Sequence, residues 1–321
     1  MKSSTPAPVE LREVSKNYGS VQALKSVTMS IEAGEVVAVL GPNGAGKSTS
    51  IAIMLGLRKA TTGQALLFGE RPNSPIARSR TGVMLQESGV PPTLKVRELI
   101  DLFRTYYPRP LATAELVGRA GLVDKANALL GTLSGGQKQR LYFALAICGD
   151  PDVIFLDEPT TGLDVEARRA LWDEIREFAV GGKTVVLTTH NLPEADALAH
   201  RVVVINQGRI VAEGTPSAIK ARTASKEVSF SSVLPLPTGI FEELTLTRLV
   251  MNDGHVRFLT AEPEPALKRL FAAGIEIRDL EVVGAGLEEA FLSLTRHNDE
   301  VPVTQTELED IQRDDSRSVS V

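Results

Sequence analysis

The stretch EVVAVLGPNGAGKST, residues 35–49, decides how the rest of the chain is read. EVVAVL is an apolar run of the kind that forms a strand buried on both faces, and it leads directly into a glycine-rich loop. That loop carries Gly41, four intervening residues, then Gly46, Lys47 and Ser48, which is the phosphate-loop pattern. Its glycines let successive backbone N–H groups turn toward one cluster of phosphate oxygens. Lys47 is suited to neutralising terminal phosphates, and the Ser48 hydroxyl to ligating magnesium. The helix that follows is expected to begin near Lys47 and to run through SIAIMLGL. Strand, glycine-rich loop and helix in this order is the context a phosphate loop requires.

A second stretch completes the chemistry. In VIFLDE, residues 153–158, four apolar residues make a buried strand that delivers Asp157 at its carboxyl end, where α/β sheets place their ligands. Asp157 is positioned to hold magnesium, through water, and Glu158 to face a terminal phosphate and polarise an attacking water. Either carboxylate alone is unremarkable at a strand end; the pair, downstream of a phosphate loop, points to hydrolysis. LSGGQKQR, residues 133–140, then poses a puzzle. A Ser-Gly-Gly run opening a helix is itself a grip for an anion, so the chain carries two phosphate grips.

Composition bounds the alternatives. The chain has 321 residues, which favours about two domains. It is 43% hydrophobic and 23% charged, as in ordinary globular proteins. Its net charge of −5 lies in residues 297–321, where seven acids face Arg313 and Arg317. The remaining 296 residues hold 33 basic and 33 acidic side chains, so no overall basic excess argues for nucleic acid. A single cysteine, Cys148, excludes an internal disulfide and reads as a buried, unreactive thiol. The N-terminus MKSSTPAPVE lacks the apolar core of a signal peptide, and no run of about 18 apolar residues occurs, so a cytosolic location is expected.

Organisation follows from punctuation and periodicity. Residues 1–8 read as a loose leader, and VELREV and VTMSIE as strands. Between about 88 and 150 a small helical insert is expected, from VPPTLKVRELIDLFRTYY, TAELVGRAGL and QKQRLYFALAI. Next come the strand DVIFLD, the helix EARRALWDEIREFA, the strand TVVLTT ending at His190, and the helix LPEADALAH. RVVVINQGRIVAEG reads as a hairpin turning at Gln207-Gly208. Strands alternating with helices imply an α/β core with a largely parallel sheet, expected to span residues 9–222. A smaller α+β unit is expected over 223–296. It comprises strands KEVSFSS, LTRLV, HVRFL and IEIRDLEVV, a helix ended by Gly274, and a closing helix LEEAFLSLT with Leu287, Ala290, Phe291 and Leu294 on one stripe. The acidic tail, 297–321, reads as disordered.

Taken in order, Tyr18, GPNGAGKST, Gln86, LSGGQ, VIFLDE, TTGLD and His190 resemble the ATP-binding cassette of ABC transporters over about residues 9–218. LSGGQ is the motif that separates this family from other phosphate-loop ATPases. The resemblance implies a cassette with a parallel-sheet core, a helical subdomain and an antiparallel β part. It also implies that two copies pair head to tail, each ATP lying between one copy's phosphate loop and the other's signature. Gly41, Pro42, Asn43, Gly44, Ala45, Gly46, Lys47, Ser48 and Thr49 would then hold one nucleotide, while Ser134, Gly135, Gly136 and Gln137 would grip the γ-phosphate on the partner. Two grips thus serve two nucleotides.

By the same resemblance Tyr18 would stack on adenine, and Gln86 would touch magnesium or the attacking water. Asp164 would communicate across the dimer, and His190 would contact the γ-phosphate. Magnesium would be held by Ser48, Gln86 and Asp157, with Glu158, His190 and Gln86 catalytic.

The C-terminal unit, with its LEEAFLSLTR-like helix, and the segment QESGVPPTLKVREL resemble exporter ATPases of the daunorubicin-resistance type; Lys95 stands where relatives often carry Thr. The implied protein hydrolyses ATP with Mg2+ and pairs with a second copy of itself or a homologous cassette. It would sit on the cytoplasmic face of the cell membrane and drive a separately encoded integral-membrane permease, with no nucleic acid as partner. The C-terminal unit is expected to support the dimer. The competing readings are an importer ATPase, a soluble ABC ATPase acting on ribosome or DNA, and a non-hydrolysing dimerisation module.

Overall fold

A computed structural model describes residues 6–84, 89–222, 226–232, 238–241, 244–246, 248–252, 254–284 and 286–295. Gln86 and the acidic tail lie outside the described residues.

The chain opens with β1 (Val9–Tyr18) and β2 (Val21–Ile31), an antiparallel pair, then β3 (Val36–Leu40) and α1 (Lys47–Met54). α1 stops short of the expected helix. Gly56 adopts a left-handed φ of 69°, and its N–H bonds back to the Ile53 carbonyl at 3.0 Å, closing the last turn. Next come β4 (Thr62–Leu67), α2 (Pro75–Ser79) and β5 (Thr81–Met84), none of which the sequence pattern announced. β4 joins β1 to give a three-stranded antiparallel sheet, order β2-β1-β4.

The insert holds α3 (Val96–Arg104), α4 (Thr113–Arg119) and α5 (Gly135–Ala146). α3 starts only at Val96, because the Lys95 N–H is bonded at 3.0 Å by the Glu98 carboxylate one turn on. There follow β6 (Val153–Asp157), α6 (Val165–Val180), β7 (Thr184–Thr188), α7 (Leu192–Leu198), β8 (Arg201–Asn206), β9 (Arg209–Gly214) and α8 (Pro216–Lys220).

Six of these strands form the central sheet, in the order β5-β6-β7-β3-β8-β9. It is parallel except for the β8–β9 hairpin, whose turn is Gln207-Gly208 as the sequence requires. Every residue of β3 and β7 is buried, and alternate side chains serve opposite faces. Val37, Val39, Phe155 and Val186 pack with Ile51 and Met54 of α1 and with Leu11 and Leu24 of the antiparallel sheet. Ala38, Leu40, Leu156 and Leu187 pack instead with Leu141 and Phe143 of α5, Leu171 and Ile175 of α6 and Ala195 of α7. The sheet therefore separates α1 from α5, α6 and α7. Cys148 is fully buried on the second side, and burial pushes its thiol up to about 11, which leaves it protonated and inert.

The remaining elements are β10 (Lys226–Ser232), β11 (Arg248–Asn252), β12 (His255–Thr260), α9 (Pro263–Ala272), β13 (Ile277–Gly284) and α10 (Leu287–Thr295). The four strands form an antiparallel sheet, order β11-β12-β10-β13, and Val228, Phe230, Val256 and Phe258 meet Ala266 and Leu270 of α9 in a small separate core. α10 does not join it. Its Leu287 and Ala290 belong to the core that contains Ala195 and Leu198 of α7, with Phe291 and Leu294 packed at its margin. The Asn206 side-chain amide also donates to the Thr295 carbonyl at 3.0 Å.

Ala290 is fully buried, so Ala290→Asp places an unpaired charge between α10 and α7. Denaturant unfolding should show a loss of about 3 kcal/mol or more. An unchanged midpoint would mean that α10 is not seated on this core.

Candidate functional site

The phosphate loop leaves β3 between two supports. Gly41 passes so close to β8 that an added Cβ would lie 2.3 Å from the Ile205 carbonyl oxygen. Gly46, at φ 112°, leaves no room either, since a Cβ there would stand 2.7 Å from the Ala23 carbonyl oxygen on β2. The β8–β9 turn props the loop from below: the Gly208 N–H donates to the Ala45 carbonyl at 2.9 Å, and the Lys25 N–H donates to Gly208 at 2.8 Å. Lys47 is nearly buried at the start of α1, and its ammonium donates to the Gly41 carbonyl at 2.7 Å and the Pro42 carbonyl at 3.2 Å. Burial lowers its pKa, an effect that the negative charges of Glu158 and Asp157 oppose. Ser48 is exposed one residue further on. The site thus sets one buried cation against two carboxylates.

Those carboxylates come from the end of β6, next to β7 in the sheet. Thr188, the last residue of β7, controls both. Its hydroxyl donates to Asp157 Oδ1, and the Glu158 N–H points at Thr188, 3.1 Å from its carbonyl oxygen and 3.2 Å from its hydroxyl. Glu158 sits at a left-handed φ of 53°, which turns its side chain out of the strand direction. Such strain in a non-glycine residue persists only where the surroundings hold it. His190, two residues past Thr188, closes the group: its Nδ1 lies 2.5 Å from Glu158 Oε2. The imidazole is largely exposed while Glu158 is mostly buried, so the pair presents a polar edge to solvent. Sequence reading named Asp157, Glu158 and His190 but not Thr188; the signal available was a second threonine before His190 in TVVLTT.

Tyr18 ends β1 and remains 45% exposed, with the Lys16 ammonium 5.0 Å from its ring centroid. Its sheet abuts the phosphate loop through Ala23 and Gly46. The signature residues stand elsewhere. Ser134 caps α5 in a reciprocal pair with Gln137: the Ser134 N–H reaches Gln137 Oε1 at 2.9 Å, and the Gln137 N–H reaches Ser134 Oγ at 3.3 Å. Asp164 caps α6 by accepting the Ala167 N–H at 2.8 Å. These two helix starts are neighbours, since a Cβ on Gly136 would come within 3.0 Å of the Ala167 methyl. The structure therefore gathers Lys47, Asp157, Glu158 and His190 at the strand ends, with the phosphate-loop helix packed on one face of the sheet. It places the helices begun at Ser134 and Asp164 against the other face.

Known proteins resemble this chain in sequence and in fold. The family model described as "ABC transporter" matches residues 24–161. A protein named "Nod factor export ATP-binding protein I" from Burkholderia orbicola is 38% identical over 298 residues, covering 90% of this chain and 97% of its own length. A protein of that name from Paraburkholderia xenovorans is 37% identical with the same coverage. Among solved structures, an "ATP binding subunit of ABC transporter" aligns with TM-score 0.61 and 28% identity, over 67% of this chain and 93% of that one. A dimeric ATP-binding cassette in a post-hydrolysis state, bound to ADP and Pi, aligns with TM-score 0.59 and 29% identity over 64% and 98%.

Thr188→Val keeps the β-branched shape of a buried strand residue and removes the hydroxyl that bonds the Asp157 carboxylate and the Glu158 backbone N–H. Steady-state ATPase assays should show kcat reduced by about tenfold, with KM for ATP little changed. Wild-type turnover in this variant would show that the Thr188 hydroxyl is not needed to place either acid.

Proposed function

We propose that this chain, which belongs to the family of ABC transporter ATP-binding proteins, works as the ATP-hydrolysing subunit of an exporter, powering a permease carried on another chain. The observation that carries the reading is the Glu158–His190 contact at 2.5 Å, beside Asp157 and Lys47 at the strand ends. In this reading the backbone N–H groups of the phosphate loop after Pro42 and the Lys47 ammonium receive the β- and γ-phosphates. Glu158 takes a proton from the attacking water as its oxygen bonds to the γ-phosphorus and the bond to the bridging oxygen breaks, releasing ADP and phosphate. His190 holds the Glu158 carboxylate and contacts the γ-phosphate from the other side. Tyr18 offers its exposed face to the adenine.

The residues present fit magnesium. Ser48 offers an exposed hydroxyl and Asp157 a carboxylate already oriented by Thr188, both hard oxygen donors of the type this ion takes. Bound there, with Gln86 as the third expected ligand, it would neutralise phosphate charge.

Pairing with a second cassette is supported by the two-sided placement of the grips. α1 and its loop pack on one face of the central sheet and the Ser134 helix on the other, so each chain offers an unmatched half of a site. ATP that touches both halves only in the closed pair gives the differential affinity that drives closure. A solved relative with ADP and Pi is dimeric. Export is favoured over import or a soluble role by the similarity to proteins named for export, which extends through the C-terminal domain to 97% of their length. Among the described residues no helix is long and apolar enough to cross a membrane, which suits a subunit docked peripherally on the cytoplasmic side of its permease.

Glu158→Gln should bind ATP with near-normal affinity and lose at least about 99% of turnover. Purified from native membranes with ATP, the trapped variant should bring down a multi-span membrane protein in stoichiometric amount. Ribosomal proteins or DNA in its place would overturn the exporter reading, and normal turnover would remove Glu158 from the role of base.

A further inference from the structure

Glu194 is the most deeply buried carboxyl group among the described residues, with no exposure to solvent, and nothing in the hydrolytic scheme above uses it. It lies in the first turn of α7, four residues past His190. Its Oε1 accepts the indole N–H of Trp172, on α6, at 3.1 Å. The buried side chains of Thr189 and Thr160 adjoin the same carboxyl, and Oε2 has no hydrogen bond of full geometry. Burial is the main influence on this group and pushes its pKa up. The contacts of Thr189, Trp172 and Thr160 oppose the rise, and the negative charge of Glu158 adds to it. A carboxyl kept here despite that cost calls for an explanation.

Its neighbours supply one. Thr189 precedes His190, and its hydroxyl accepts the Asn191 N–H at 2.9 Å, so the backbone on both sides of His190 is closed over this threonine. The Glu194 N–H in turn donates to the Asn191 carbonyl at 3.0 Å. Thr160 belongs to the short segment between Glu158 and the Asp164 cap of α6. The Leu163 N–H bonds the Thr160 carbonyl at 3.2 Å, and the Thr161 N–H bonds the Glu158 carbonyl at 3.2 Å. Three segments therefore meet at one buried carboxyl: the turn that carries His190, the segment that carries Glu158, and α6.

We propose that Glu194 is a positioning residue for hydrolysis, joining the His190 turn to the Glu158 segment and to Trp172 so that His190 Nδ1 and Glu158 Oε2 stay in contact. The inference rests on the reading of Glu158 and His190 as the hydrolytic pair. It concerns a residue that touches neither and acts through Thr189 and Thr160. A displacement of about 1 Å at such a pair suppresses turnover far more than it weakens substrate binding. The chain has a single tryptophan, and it is the one bonded to Glu194, so its fluorescence reports on this junction without labelling.

The test uses the full chain and three variants: Glu194→Ala, Glu194→Gln and Trp172→Phe. Glu194→Ala should lower kcat by about tenfold or more, with KM for ATP within about threefold of wild type. Glu194→Gln keeps the shape and one acceptor oxygen of the side chain and should retain most of kcat, with tryptophan emission close to wild type. Trp172→Phe keeps one aromatic ring but loses the N–H donor and part of the packing against the core; kcat should fall by about threefold, more than the accompanying fall in Tm accounts for. It carries the test alone if Glu194→Ala does not fold. Wild-type kcat in Trp172→Phe, or in a folded Glu194→Ala, would defeat the positioning role. So would losses in kcat that only track losses in Tm, with no rescue by Gln. A Glu158→Gln variant that hydrolyses ATP normally would instead bring down the reading of the pair, whatever the Glu194 variants do.

Discussion

A parallel strand with apolar packing on both faces has no side on which to place a polar residue except its end. β3, β6 and β7 are such strands, and they lie next to one another in the central sheet. Their carboxyl ends are the nearest places where polar groups can emerge, and every charged group of the candidate site emerges there. β7 lies between the other two, so its last residue stands between the phosphate loop and the two carboxylates. Thr188 is β-branched enough to belong to the strand and polar enough to bind what lies beyond it. Through one hydroxyl it fixes Asp157 and holds the backbone of Glu158. Register and chemistry are thus the same constraint: a slip of one residue in β7 would put Leu187 where the hydroxyl has to be.

The same two-sided burial places the two glycine-rich helix starts on opposite faces of one sheet. Each face of the sheet needs helices, and each helix brings an N-terminus. α1 covers one face and offers its N-terminus through the phosphate loop. α5 covers the other, capped by Ser134 and Gln137, with Gly136 keeping it close to the start of α6. In the proposed reading a ligand that engages both helix starts needs two chains, and a solved relative is dimeric.

Most of this was legible in the sequence, and the reasons are local. EVVAVL, DVIFLD and TVVLTT announce their strands because double burial leaves no polar interruption, and a phosphate loop fixes both its own conformation and the helix after it. What escaped is what tertiary contact decides. β4 and β5 are short and interrupted by glycine, so neither shows a period. The early end of α1 turns on one left-handed glycine inside an otherwise helical pattern. Glu194 reads, in LPEADALAH, as one of the polar residues of an amphipathic helix. Its burial depends on Trp172, twenty-two residues away on another helix, and no local pattern carries that information.

α10 is the instructive case among these. Its stripe of Leu287, Ala290, Phe291 and Leu294 is apolar, but periodicity says only that a face is buried, not against what. The small C-terminal sheet already has a cover in α9, which closes a core of its own. The stripe of α10 goes instead to α7 and α8, beside Ala195 and Leu198. The C-terminal region thus reaches back to the helix that bears Glu194 and follows His190. A packed contact of this kind resists continuous deformation, because side chains at crystal-like density have few alternative arrangements. Any movement of α7 in the hydrolytic cycle therefore has to carry α10 with it or break the shared core. For that reason α10 belongs mechanically to the cassette, although the chain reaches it only after the C-terminal sheet.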